Sequence, residues 1–140
     1  MRIIFDTETI RLITLFENVT KATVTDCFIN DSNDTVYFII DEGKIGLAIG
    51  KNGSNVRHVE KLIKKNVKVF EFSKDLVKFV KNVIPYVINA DVRNNGKEII
   101  VDINVEKKNK AVVIGRDGKN LNLYRKLLNR THSVSDIVVR

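Results

Sequence analysis

Apolar residues first recur after Asp6 and Thr7, either of which can cap a helix: Leu12, Leu15, Phe16 and Val19 follow the i, i+3, i+4, i+7 spacing of one helical face. Thr23 to Ile29 is β-branched or apolar apart from Asp26, and Thr35 to Ile40 is continuously so; the turn-forming run Asn30-Asp31-Ser32-Asn33-Asp34 between them predicts a hairpin. A short segment from Lys44 to Ile49 leads into Gly50-Lys51-Asn52-Gly53. Val56, Val59, Leu62 and Ile63 then mark the buried face of a longer helix, which Asn66 should close, and Val67 to Phe72 reads as a third strand.

The same order then restarts. Ser73 is placed to cap a helix carrying Leu76, Phe79, Val80 and Val83, and Pro85 should end it. Tyr86 to Arg93 and Lys97 to Asn104 flank Asn94-Asn95-Gly96, a hairpin turn because Asn and Gly both tolerate positive φ. After Lys108 to Ile114 and the loop Gly115-Arg116-Asp117-Gly118 comes a helix with Leu121, Tyr124, Leu127 and Leu128 inward. Asp136 to Val139 closes the chain as a strand.

Setting Gly50 on Gly115 brings Ile49 onto Ile114, Gly53 onto Gly118, Asn55 onto Asn120, Val59 onto Tyr124 and Leu62 onto Leu127. The chain is therefore read as an internal repeat, with domains at residues 1–72 and 73–140. Its predicted class is α+β, each domain a three-stranded sheet with helices on one face.

Composition supports folding throughout: 140 residues, 44% of them hydrophobic, with one Pro and 7 Gly. A net charge of +7 favours a polyanionic partner over a neutral one. The lone Cys27 sits in an apolar setting and reads as a small buried hydrophobe. His58 and His132 have no metal-ligand spacing. The run Ile3-Ile4-Phe5 is too short for a secretory signal, and no stretch approaches the ~20 apolar residues of a membrane helix. A soluble, cytoplasmic chain with no membrane association is expected.

Glycine has no side chain to block a ligand's approach and accepts positive φ, so a Gly-x-x-Gly turn between two helices can clasp a phosphodiester. Lys51 and Arg116 put a cation inside each loop, and the helix that follows offers free N–H groups and the positive end of its dipole. A single such turn could serve backbone geometry alone. Two turns, each preceded by Ile, carrying a base at the second position and followed two residues later by Asn, point to ligand binding.

Other phosphate motifs fail. Gly46, Gly50 and Lys51 leave three residues between the glycines, where a nucleotide phosphate loop needs four, and Asn52 stands where that loop needs Ser or Thr. Ala48 occupies the first glycine of a dinucleotide fingerprint. With no nucleophile and base pair either, neither an enzyme, a cofactor nor a small-molecule substrate is expected.

The stretches Ile49-Gly50-Lys51-Asn52-Gly53-Ser54-Asn55-Val56 and Ile114-Gly115-Arg116-Asp117-Gly118-Lys119-Asn120-Leu121 resemble KH signatures. The element order resembles the type II arrangement, α-β-β-α-α-β with a mixed sheet, and Glu42 to Asn55 followed by a second module without a spacer is similar to the archaeal NusA family of transcription factors. The resemblance implies that each module grips about four nucleotides of single-stranded RNA. On it, Gly50, Lys51, Asn52, Gly53, Ser54, Asn55 and Arg57 bind RNA in the first module, and Gly115, Arg116, Asp117, Gly118, Lys119 and Asn120 in the second. Ile45, Ala48 and Ile49, and Lys110, Val113 and Ile114, would line grooves for the bases. The function implied is control of elongation, termination or antitermination on nascent RNA. The alternative is docking on RNA polymerase or ribosomal components with RNA binding secondary.

Asp117 breaks the symmetry. At an effective dielectric of ~20, a like-charge pair ~4 Å apart costs a few kcal/mol before screening, so the first loop is expected to be the stronger clamp. Further cations follow the loops at helical spacing: Arg57, Lys61, Lys64 and Lys65, then Arg125, Lys126 and Arg130.

Overall fold

In the computed structural model, which describes residues 6–31 and 33–140, Asp6 caps the first helix by accepting a hydrogen bond from the Thr9 amide at 2.8 Å. Ile3-Ile4-Phe5 and Ser32 lie outside the described residues. Helix α1 spans Thr7–Thr20, strands β1 and β2 Val24–Asn30 and Thr35–Ile40, helices α2 and α3 Ile45–Ile49 and Ser54–Ile63, and strand β3 Asn66–Glu71. The second set is α4 Leu76–Val83, β4 Val87–Asn94, β5 Ile99–Val105, α5 Lys110–Ile114, α6 Lys119–His132 and β6 Asp136–Val139. Contacts divide the chain into two units between Ser73 and Lys74.

In the first unit β1 pairs antiparallel with β2, and β2 pairs parallel with β3, from Thr35 opposite Asn66 to Ile40 opposite Glu71. The second unit repeats the order, with β4 and β6 flanking β5. Even the irregularities match: β1 slips register between Val24 and Asp26, and β4 between Val87 and Asn89. Both halves are therefore α+β units with a three-stranded mixed sheet.

Alternation along β2 turns Val36, Phe38 and Ile40 towards the helices, where they meet Phe16 of α1, Ala48 of α2 and Val59 of α3 in one core. Phe16 stacks on Phe38 with ring centroids 4.2 Å apart. In the second unit the same alternation buries Val101, Ile103 and Val105 of β5, and Phe79, Val113, Tyr124, Leu127 and Leu128 are buried on its helices. Cys27 is buried, as expected of a small hydrophobe, and forms no disulfide.

Three local expectations are corrected. Asp75, not Ser73, caps α4, accepting from the Val77 amide at 3.1 Å; Ser73 is buried. Asn66 does not close α3. Lys64 does so in a left-handed conformation, its amide reaching Glu60 O at 2.8 Å, and Asn66 opens β3. Leu62 is 50% exposed, because three residues beyond the buried Val59 it rotates past the edge of the apolar face that Ile63 still covers. Pro85 acts as expected: Ile84, just before it, is held extended and ends α4.

Candidate nucleic-acid interface

Each Gly-x-x-Gly loop joins the short second helix of its unit to the longer third. After α2, Gly50 takes φ 76 and ψ 171, Asn52 φ 57 and ψ 28, and Gly53 φ 76 and ψ 14. After α5 the values are 77 and 168 at Gly115, 57 and 25 at Asp117, and 73 and 15 at Gly118. The two loops have the same backbone to within a few degrees. Amides close both turns: Gly53 N–H donates to Gly50 O, and Gly118 N–H to Gly115 O, each at 3.1 Å.

The first glycine of each loop is required twice over. Its φ and ψ lie in a region that residues with a Cβ rarely enter. A Cβ at Gly50 would also stand 2.8 Å from the Asn55 backbone nitrogen, and one at Gly115 2.9 Å from that of Asn120. The approach is close because Asn55 and Asn120 reach back over the loop, their Nδ2 groups donating to Leu47 O at 2.7 Å and Val112 O at 3.0 Å. These two asparagines, expected from the sequence to contact RNA, are latches that tie each loop to the helix before it.

The second variable position is left-handed in both loops, a conformation open to Asn and Asp but costly for most side chains. That gives Asp117 a backbone reason for its presence independent of its charge. Gly53 and Gly118, also left-handed, cap α3 and α6 without supplying a side-chain acceptor. The first amides serve the turn itself, Ser54 N–H donating to Lys51 O and Lys119 N–H to Arg116 O, so what each helix start offers an anion is the positive end of its dipole. Lys51, Asn52, Arg116, Asp117, Ser54 and Lys119 are all exposed around them.

The expected groove residues divide. Ile49 is partly exposed, and Ile45, Lys110 and Ile114 are half-buried, whereas Ala48 and Val113 are fully buried and offer no surface to a base. They anchor α2 and α5 from beneath. The apolar surface beside the loops comes instead from Leu47 and Val112, 49% and 55% exposed, which sequence reading passed over. Their equivalence under the repeat, three residues before each loop, was the available signal.

The helix cations also differ between units. Arg57 lies against the first loop, its Nη1 3.1 Å from where a Gly53 Cβ would be, while Gly118 faces open space. Arg125 is drawn away from the second loop, its Nε 2.8 Å from Asp136 Oδ1 and its Nη1 donating to Asn122 Oδ1 at 3.1 Å. Among the described residues no group of three or more His, Cys, Asp or Glu could hold a metal ion, and no helix is long and apolar enough to cross a membrane.

Comparison with known proteins agrees with the fold. The family model described as KH domain matches residues 11–87. A protein of Methanocaldococcus jannaschii named "Probable transcription termination protein NusA" is 36% identical over 95% of this chain and 73% of its own length. Proteins of the same name from Methanococcus vannielii and Thermoplasma acidophilum are 35% and 31% identical, over 99% and 96% of this chain and 80% and 94% of theirs. The crystal structure of APE1850 superposes with a TM-score of 0.84 at 32% identity, covering 97% of this chain and all of that one. With its duplicated α-β-β-α-α-β units and latched Gly-x-x-Gly loops, the chain belongs to the archaeal NusA-like family of KH-domain proteins.

Proposed function

We propose that this chain is an RNA-binding transcription factor whose two Gly-x-x-Gly loops clasp the backbone of single-stranded, nascent RNA. The observation that carries the reading is the duplication of one strained loop backbone, with its Asn latch, in two units of different sequence. Loop residues Gly50 to Gly53 and Gly115 to Gly118 clamp phosphate, Lys51 and Arg116 supply charge, and the positive dipole ends of α3 and α6 face the bound anion. Ile49 and Leu47, and Ile114 and Val112, flank the bases. Asn55 and Asn120 hold the loops in shape.

The relatives' name supports an action at transcription termination; control of elongation, RNA polymerase as the neighbouring machine and the cytoplasm as the place complete the proposal. The role is to position RNA, with no bond chemistry.

The test is a titration of labelled single-stranded RNA against the wild type and the double variant Lys51→Asp, Asn52→Asp over a salt series. For about four phosphate contacts, log affinity should fall against log salt with a slope near −3, at ~0.7 per contact. The variant should bind weakly with a shallower slope. A folded double variant that binds as well as the wild type would refute the clamp and leave docking on polymerase or ribosome as the function.

A further inference from the structure

Gly53 ends the first loop, and the side chain beside it is Arg57. From there α3 carries Lys61 one turn on and Lys64 at its C-cap. At 100° and 1.5 Å per residue these three positions fall within an arc of about 60° and are spread over about 10 Å of one face. That face opens into a cleft of about 350 Å³, lined by all three together with Lys65, Glu60 and Asp34.

The two carboxylates of the cleft are already committed. Glu60 Oε2 accepts from the Val67 amide at 2.9 Å, and Asp34 Oδ1 pairs with Lys65 Nζ at 3.0 Å. The side chains of Arg57, Lys61 and Lys64 form no hydrogen bond or ion pair among the described residues. Three unpaired side-chain cations in line with the loop thus run down an open cleft where, with Lys65, they outnumber the carboxylates of Glu60 and Asp34. Lys64 holds a left-handed backbone that Gly would adopt without steric cost.

The second unit has no such row. Its positions equivalent to Arg57, Lys61 and Lys64 are Asn122, Lys126 and Asn129. Asn122 accepts from Arg125, Asn129 Nδ2 donates to Val134 O at 3.0 Å, and Lys126 is engaged in an interaction of its own.

We infer that the RNA path on the first unit continues past its loop along α3, where Lys61 and Lys64 take the phosphates of nucleotides beyond those held by the loop. The inference rests on the proposed RNA-binding function and gives the two units different footprints. The first is a long track, and the second is confined to its loop. The occupant is a phosphodiester chain because the unpaired side chains are cations spaced along an open cleft that runs on from the loop.

The experiment compares a single-stranded RNA of about four nucleotides with one of about ten. It uses the wild type, the pair Lys61→Gln with Lys64→Gln, and the loop pair Lys51→Asp with Asn52→Asp, each over a salt series. Gln matches Lys in helix propensity, and circular dichroism with a urea midpoint verifies folding. The Lys61 and Lys64 pair should leave the short RNA unaffected, weaken the long RNA about tenfold, and reduce its salt slope by about 1.4, at ~0.7 for each lost contact. The loop pair should weaken both RNAs.

If the loop pair weakens binding but the Lys61 and Lys64 pair leaves the long RNA and its slope unchanged, the track is refuted and the loop clamp stands. If neither pair alters binding, the clamp fails and the track with it. If the Lys61 and Lys64 pair loses retention of poly-glutamate while its RNA slope is unchanged, the cleft belongs to an acidic protein segment and the inference is overturned.

Discussion

Exchanging one atom in each loop tests whether charge at the left-handed position governs the grip. Asn52 and Asp117 share φ 57, with ψ 28 and 25, and both are exposed. Asn and Asp are both tolerated there, so Asn52→Asp and Asp117→Asn alter charge while leaving the backbone in place. A clasped phosphate ~4 Å from the carboxylate is repelled by ~1 kcal/mol in bulk water and ~4 kcal/mol at an effective dielectric of ~20. Exposure on both sides favours the lower figure, and a Debye length of ~8 Å at physiological salt trims it further. About 1 kcal/mol corresponds to about fivefold in affinity. Asp117→Asn, placed in the Lys51→Asp, Asn52→Asp background so that the second loop dominates, should therefore strengthen RNA binding about fivefold. Asn52→Asp in the otherwise native chain should weaken it by a similar factor. Fluorescence anisotropy at several salt concentrations reads both changes, and both should shrink as salt rises. Unmoved affinities in folded variants, or differences indifferent to salt, would refute the electrostatic account of the asymmetry.

The glycines should separate by position. Gly50→Ala and Gly115→Ala meet both the forbidden backbone region and the latch asparagine, and should cost roughly 3 kcal/mol or more. Gly118→Ala, with open space around it, should cost only the left-handed penalty of about 1–2 kcal/mol. Urea midpoints falling equally for all three would contradict this ranking. In the second unit, hydrogen bonds from Arg93 to Asp102, helped by the charge of Arg140, hold that carboxylate below its usual range against the opposing effect of burial. Because the folded pKa is depressed below an unfolded value near 3.9, this stabilisation is complete above that value and is lost as pH falls through the folded pKa. Arg93→Gln should therefore lower the thermal midpoint at pH 7, and the gap to the wild type should close in strong acid; parallel curves down to pH 2 would count against it.

Periodicity located the four longer helices, and β-branched runs between turn residues located the strands, because the fold depends on where apolar side chains recur; the repeat exposed the loops because both units solve one problem. Interactions made across the loop were not legible in the same way. Asn55 and Leu47 are eight residues apart, and only the folded turn brings the Asn55 amide to the Leu47 carbonyl, so the sequence did not reveal the latch. Ala48 and Val113 lie on five-residue helices, too short for spacing to separate the buried face from the exposed one. In the second hairpin the Asn-Gly pair marked the turn correctly, yet only Gly96 takes positive φ. Asn94 and Asn95 shape the rest through side-chain bonds to the amides of Gly96, Lys97 and Glu98. The cap of α4 fell to Asp75, whose carboxylate accepts from the Val77 amide, two residues beyond the Ser73 that the sequence suggested.

Both loops sit within the crossover that carries the chain from a middle strand to its parallel neighbour, Ile40 to Asn66 in the first unit and Val105 to Asp136 in the second. A parallel pair cannot form until its crossover has closed, so the clamp is assembled in the same event as the sheet. Ordinary surface loops absorb insertions and deletions, but here an added residue would displace the latch and the helix leading into the last strand. These sites are free to diverge only by exchanging side chains on a backbone of fixed length, and Lys51 with Asn52 against Arg116 with Asp117 is that divergence within one molecule.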